Sequence, residues 1–130
     1  MAKRKILIVE DEVDILDIVK MRFTANNYAV VTASDGETAL KMIREEKPDA
    51  VLLDIRMPGM DGLTVLKKIR EDDKAIPVFI YTAYSNEERV KLANELNATG
   101  FIIKTNDLQS EIVKITATLD IADKYKNKTK

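Results

Sequence analysis

Ala50-Val51-Leu52-Leu53-Asp54-Ile55-Arg56-Met57-Pro58 is the stretch that decides the fold. Four apolar residues in succession are the length of a strand and too few for a helix. A strand with no polar alternation is one buried on both faces. The run stops on an acid, Asp54, and Met57-Pro58 with Gly59 and Gly62 then shapes a loop. Gly59 and Gly62 are turn formers here, because their spacing is not that of a phosphate-binding loop.

Working outward, Ile6-Leu7-Ile8-Val9 repeats the pattern and stops at Glu10-Asp11-Glu12. Between the two runs lies a helical stripe of Ile15, Leu16, Val19 and Phe23. Asn26-Asn27 ends it, and a strand is predicted over Tyr28 to Ala33. Asp35-Gly36 opens a helix carrying Ala39, Leu40 and Ile43, which Pro48-Asp49 interrupts. Toward the C-terminus come a helix with Leu63, Leu66 and Ile69, a third buried strand Val78-Phe79-Ile80-Tyr81, a helix over Val90 to Leu96 and a last strand Phe101-Ile102-Ile103. Leu108, Ile112, Ile115 and Leu119 share one helical face, so a long amphipathic helix is predicted from Asp107 to about Tyr125. Five strands alternating with five helices specify an α/β fold, a doubly wound parallel sheet covered on both faces. Residues 1–122 are expected to form one domain. Residues 123–130 form a lysine-rich tail, with Lys124, Lys126, Lys128 and Lys130, to which no function is assigned.

The chain has 130 residues, enough to bury a core without disulfides or a structural metal. With 21 basic against 22 acidic side chains it has no surface suited to coating nucleic acid, and neither nucleic-acid nor membrane binding is expected. Cysteine and histidine are both absent, which excludes thiol nucleophiles, imidazole bases and the usual zinc ligand sets. Any chemistry must use carboxylates, hydroxyls or lysine. The basic start Met1-Ala2-Lys3-Arg4-Lys5 precedes only four apolar residues, far short of a signal-peptide core or a membrane span, so a cytoplasmic protein is expected.

In a parallel sheet the residues ending the strands collect on one edge, where ligands bind. Those residues are Glu10 and Asp11 after the first strand, Asp54 after the third, Thr82 after the fourth and Lys104 after the fifth. Singly, each has an ordinary reading as a cap or a solvated loop residue. Together, three carboxylates repel one another unless a proton or cation intervenes. Oxygen ligands without His or Cys suit magnesium, with manganese as the alternative.

From Lys5 to about Leu119 the chain resembles the receiver domain of bacterial-type response regulators. The resemblance rests on the acidic pair Glu10-Asp11, the segment Asp54-Ile55-Arg56-Met57-Pro58-Gly59-Met60-Asp61-Gly62, the pair Thr82-Ala83, Phe101 and Lys104. It implies a flavodoxin-like sheet of order 2-1-3-4-5, the order of a chemotaxis regulator in that family. It further implies that Asp54 accepts a phosphoryl group from a histidine kinase, a phosphotransfer protein or a small acyl phosphate. Magnesium would be held by Glu10, Asp11, Asp54 and the backbone carbonyl of Arg56, with Lys104 as a second positive charge. Thr82 and Phe101 would form the switch, read by a protein target on the face of the fourth helix, fifth strand and fifth helix. A phosphorylation-induced dimer is compatible with this scheme. Such a protein is no enzyme beyond catalysing its own phosphorylation and dephosphorylation.

Three positions depart from the family pattern or modify it. Thr105 follows Lys104 where the family usually has proline, and a cis bond before a non-proline residue costs roughly 3 kcal/mol, so the loop after the fifth strand is expected to differ in shape. Arg56 either tunes the lifetime of the phosphate or is a plain exposed loop residue. Tyr84 either restricts water at the mouth of the site or lies flat on the surface. A phosphohydrolase of the haloacid dehalogenase kind also forms an aspartyl phosphate, but it carries a second Asp where this chain has Arg56. A degenerate receiver that only binds partners is disfavoured by the intact set Glu10, Asp11, Asp54, Thr82 and Lys104. A single-domain regulator is expected, with a receiver cut from a longer transcription factor or enzyme regulator as the alternative.

Overall fold

The computed structural model describes the backbone of residues 4–83, 85–105 and 107–128, and side chains as far as residue 121. Five strands alternate with five helices: β1 (Lys5–Val9), α1 (Val13–Ala25), β2 (Ala29–Ala33), α2 (Gly36–Glu46), β3 (Ala50–Leu53), α3 (Gly62–Asp72), β4 (Val78–Thr82), α4 (Glu87–Glu95), β5 (Gly100–Ile103) and α5 (Leu108–Lys128). All pairings are parallel and the strand order is β2-β1-β3-β4-β5, as the resemblance implied.

The uninterrupted apolar strands split their side chains between two cores, because successive residues of a strand point to opposite faces. Leu7, Val9, Val51, Leu53, Val78 and Ile80 face α2, α3 and α4, where they meet Ala39, Leu66, Ile69 and Ala93. Ile6, Ile8, Ala50, Leu52, Phe79 and Tyr81 face α1 and α5, where they meet Val19, Phe23, Ile112, Ile115 and Leu119. Full burial of one such side chain contributes roughly 2 to 3 kcal/mol, and the central strands are enclosed on both sides.

Helix boundaries follow local chemistry. Asp35, Asp61 and Asn86 cap α2, α3 and α4 by accepting main-chain N–H bonds from Thr38, Thr64 and Arg89. Asn27 and Asn97 take left-handed backbone beyond the ends of α1 and α4, with φ of 69° and 62°. The second strand begins one residue later than the sequence predicts. The Tyr28 N–H still donates to the Phe23 carbonyl and its ring stands edge-on to Phe23 at 5.4 Å, so Tyr28 belongs to the turn and Ala29 is the first residue paired with β1. The last helix continues three residues past Tyr125, to Lys128. The side chains of Lys124, Lys126 and Lys128, and all of Lys130, lie outside the described residues.

Candidate functional site

Main-chain bonds carry the ladder one residue beyond the strand ends and bring those residues together. Glu10 N–H donates to the Ala33 carbonyl at 3.0 Å, Asp54 N–H to Val9 at 3.1 Å and Lys104 N–H to Thr82 at 2.9 Å. The Asp54 and Lys104 side chains thereby line one cleft of about 250 Å³ with Asp11, Glu12 and Arg56 among others, and the buried Glu10 meets Lys104. The Lys104 ammonium donates to Glu10 Oε1 at 2.8 Å and to Asp54 Oδ2 at 3.0 Å, and lies 5.4 Å from the centre of the Tyr81 ring. Arg56 N–H reaches Asp54 Oδ1 at 3.3 Å, and the neighbouring Thr82 hydroxyl helps lower the Asp54 pKa. Glu10, Asp54 and Thr82 are buried, whereas Asp11 stands exposed at the rim.

Two acids facing one ammonium out of water do not ionise alike. Burial first, then the contact with Asp54, pushes the Glu10 carboxyl up to about 8 against the pull of Lys104. Burial also opposes charge on Asp54, but hydrogen bonds from Glu10, Lys104 and Thr82 and the field of the ammonium prevail, holding it below the usual carboxylate range. Lys104 is disfavoured by burial, yet its bonds to Glu10 and Asp54 raise its pKa and keep it charged. The cleft therefore holds a charged Asp54 and a proton on Glu10 that a stronger cation would displace.

Whether a divalent cation fits can be tested on the donors. Glu10, Asp11 and Asp54 each offer a carboxylate oxygen, and these lie within 4.8 Å of one another. Glu10 Oε2 is buried and makes no hydrogen bond. In the metal-free cleft that oxygen has only the carboxyl's own proton, and a hard cation would take the proton's place. The donor set is all oxygen, so it fits magnesium.

All five residues that the strand ends single out thus converge. Phe101 is half-buried and packs against the core on the α3 and α4 side. The Arg56 side chain is exposed and, with Arg89, lines an adjoining cavity of about 410 Å³. Tyr84 lies outside the described residues. No peptide bond is cis among the described residues, so Thr105 follows Lys104 through a trans bond. Sequence reasoning missed Glu111 in α5, which is buried and accepts bonds from the Tyr81 hydroxyl at 2.9 Å and from Thr105 N–H at 3.2 Å. A signal existed: Glu111 falls three residues after Leu108 and four before Ile115, on the stripe that α5 turns inward. A third cavity, of about 380 Å³, lies at the other end of the sheet beside Lys5, Asp49 and Pro77, away from these residues.

A doubly wound sheet of order 2-1-3-4-5 carries an acid cluster, a hydroxyl and a lysine together at its carboxyl edge, where sheets of this kind bind ligands. Residues 6–117 match the family model of the response regulator receiver domain, and the chain belongs to that family. It is 39% identical over 101 residues, 78% of this chain, to the alkaline phosphatase synthesis transcriptional regulatory protein PhoP of Bacillus subtilis, of which that covers 42%. The chain spans less than half the length of the curated relatives it matches. The CheY-like receiver domain protein of Methanospirillum hungatei superposes with a TM-score of 0.90 at 27% identity, covering 95% of this chain and 99% of that one. The response regulator TrrA of Thermotoga maritima, solved in complex with Mg(2+)-BeF, gives 0.81 at 33% identity, covering 88% and 98%. The chain is therefore a receiver domain of two-component signalling, a family of switches rather than of catalysts. None of its described helices is long and apolar enough to cross a membrane.

Proposed function

We propose that this chain is a magnesium-dependent phosphorylation switch with Asp54 as phosphoacceptor. The observation that carries the reading is the pairing of a buried, ionised Asp54 with Lys104 beside Glu10 and Asp11, with one carboxylate oxygen from each of the three acids lying within 4.8 Å of the others. Asp54 Oδ attacks the phosphorus of a phosphohistidine on a kinase or phosphotransfer protein, or of a small acyl phosphate. The bond from phosphorus to the donor breaks, and the donor leaves with the electron pair. The carboxylates of Glu10, Asp11 and Asp54 and the Arg56 carbonyl would hold magnesium, which supplies charge neutralisation and alignment of the phosphoryl oxygens. TrrA, with its Mg(2+)-BeF complex, supports that assignment by analogy. Lys104 remains as the chain's own cation toward the acceptor.

Phosphorylation adds negative charge and strong acceptor oxygens, which draw the Thr82 hydroxyl; Phe101 then moves into the vacated space. The shifted population is read by a protein on the face of α4, β5 and α5, and phosphorylation can pair two copies of the chain through it. Exposed Leu92, Ile103 and Val113, one on each of these elements, support that choice. The setting is cytoplasmic, with residues 1–122 as the receiver and 123–130 as a tail. We read the output as a contact with another protein, either a separate target or a further domain of the kind carried by the longer transcriptional relatives.

Intact mass after incubation with acetyl phosphate tests the reading. One added phosphoryl group, present only with magnesium and absent in Asp54→Ala, is the expected result. An equal gain in Asp54→Ala, or none in the wild type with magnesium and either acetyl phosphate or a phosphohistidine donor, would overturn it.

A further inference from the structure

The Lys104 side chain spans from the end of β5 into the acid cluster, and the residue after it, Thr105, is exposed and precedes α5. Proline at this position would fix the backbone by its ring. Threonine leaves φ free and adds an N–H and a hydroxyl.

Both of those groups are engaged. Thr105 N–H donates to Glu111 Oε1 at 3.2 Å and the Thr105 hydroxyl to Glu111 Oε2 at 3.4 Å, while Asp107 N–H donates to the Thr105 hydroxyl at 3.0 Å. Glu111 is only 3% exposed, one turn into α5, and its Oε1 also accepts the Tyr81 hydroxyl at 2.9 Å. Tyr81 directly precedes Thr82, is buried in β4, and carries the ring beside the Lys104 ammonium. A buried carboxylate is costly unless it is hydrogen-bonded, and these bonds satisfy this one. One side chain of α5 thus ties the residue after Lys104 to the residue before Thr82.

We infer that Glu111 is a positioning residue for Lys104: through Thr105 and Tyr81 it fixes the loop from β5 to α5 so that the ammonium stays between Glu10 and Asp54. This deepens the reading of Asp54 as phosphoacceptor and rests on it for its effect on phosphorylation, though not for the position of Lys104. No bond is made or broken by Glu111, which touches neither the phosphoryl donor nor the acceptor.

The test is a double variant that removes the polar link and keeps the core filled, Tyr81→Phe with Glu111→Leu. Replacing both partners of a buried hydrogen bond by apolar groups of like shape is close to neutral for folding. The phenyl ring beside Lys104 is retained. Trace acetylation of each lysine by acetic anhydride, read by peptide mass, reports how firmly Lys104 is held, with Lys67 and Lys74 as exposed references. Lys104 is expected to react roughly tenfold faster in the double variant, and magnesium-dependent phosphorylation by acetyl phosphate to slow by a similar factor. Glu111→Gln keeps an acceptor for Thr105 and should restore most of both. Thr105→Ala, at an exposed position on which the core does not depend, should give a smaller change in the same direction, roughly threefold.

Lys104 reactivity within about twofold of wild type in both the double variant and Thr105→Ala would overturn the inference, since a loss of that size lies below one hydrogen bond. Faster Lys104 acetylation in a chain whose wild type takes no phosphoryl group would uphold Glu111 as the positioning residue and remove the phosphoacceptor reading instead.

Discussion

A methyl group on Gly62 would occupy the space of the Asp54 main-chain carbonyl. The first residue of α3 packs so closely under the end of β3 that only a hydrogen fits, and Gly62 N–H at the same time donates to the Ile55 carbonyl at 2.8 Å. Gly62 therefore acts by close approach, in addition to its place at the end of the loop. Gly59 is the residue with left-handed backbone, φ 75°, and has open space around it. Gly62→Ala is expected to destabilise the fold by about 3 kcal/mol, because backbone must shift, and Gly59→Ala by about 1 kcal/mol from its φ alone. Urea unfolding of the two variants measures both.

Glu10 gives the metal-free protein a pH dependence of defined sign. Its carboxyl keeps a proton up to about 8 in the folded chain against 4.5 as its ordinary value. Between those limits the unfolded chain binds fewer protons, so stability falls as pH rises toward 8, by an amount on the order of a few kcal/mol. Asp54 has the opposite sign: its lowered pKa contributes stability that is lost as pH falls below 3.8 and through its folded value. Urea unfolding in EDTA at roughly pH 5 and pH 8 should show the decline, and Glu10→Gln should flatten it. Saturating magnesium should displace the proton and so remove the decline as well.

Lys104 occupies the charge environment that a cation would share. In Lys104→Met the two acids lose their ammonium, at a cost of about 2 kcal/mol, less than for a fully enclosed pair because the cleft opens to water. The same loss of a positive charge a few ångströms away should raise magnesium affinity roughly tenfold while slowing phosphorylation. Calorimetric titration with magnesium checks the first effect, and unchanged affinity would show that the ammonium does not compete.

Arg56 meets Asp54 through its main-chain N–H, a contact that any residue except proline can make. The Arg56 side chain is exposed, and Arg56→Ala should leave stability within about 0.5 kcal/mol. A side chain that faces the phosphate should change the rate of its loss several-fold, read as the decay of the phosphorylated mass after donor is removed. An unaltered rate would leave Arg56 as an ordinary exposed loop residue.

Much of the fold was legible because its determinants are local or repeat along the chain. The apolar runs Ile6 to Val9, Ala50 to Leu53 and Val78 to Tyr81 are short, uninterrupted and bounded by turn residues, and a strand of that kind has to be covered on both faces. Asn26-Asn27 and Asp35-Gly36 marked element boundaries for reasons internal to the segment. Parallel topology then forced Glu10, Asp54, Thr82 and Lys104 onto one edge without any knowledge of packing. Tyr28 was misplaced by one residue because its choice between strand and turn depends on Phe23, with which it packs.

The sequence alone determined the order of elements, the sheet edge on which the acids, hydroxyl and lysine gather and the all-oxygen character of the acid cluster, since these follow from residue type and chain direction. Tertiary structure alone decided which acid keeps its proton, which carboxylate oxygen is left without a donor, and that Glu111 joins Thr105 to Tyr81. Those outcomes turn on distances of about 3 Å between groups 6 to 94 residues apart. Hydrogen bonding and desolvation vary steeply over fractions of that distance, and no periodicity in the chain encodes it.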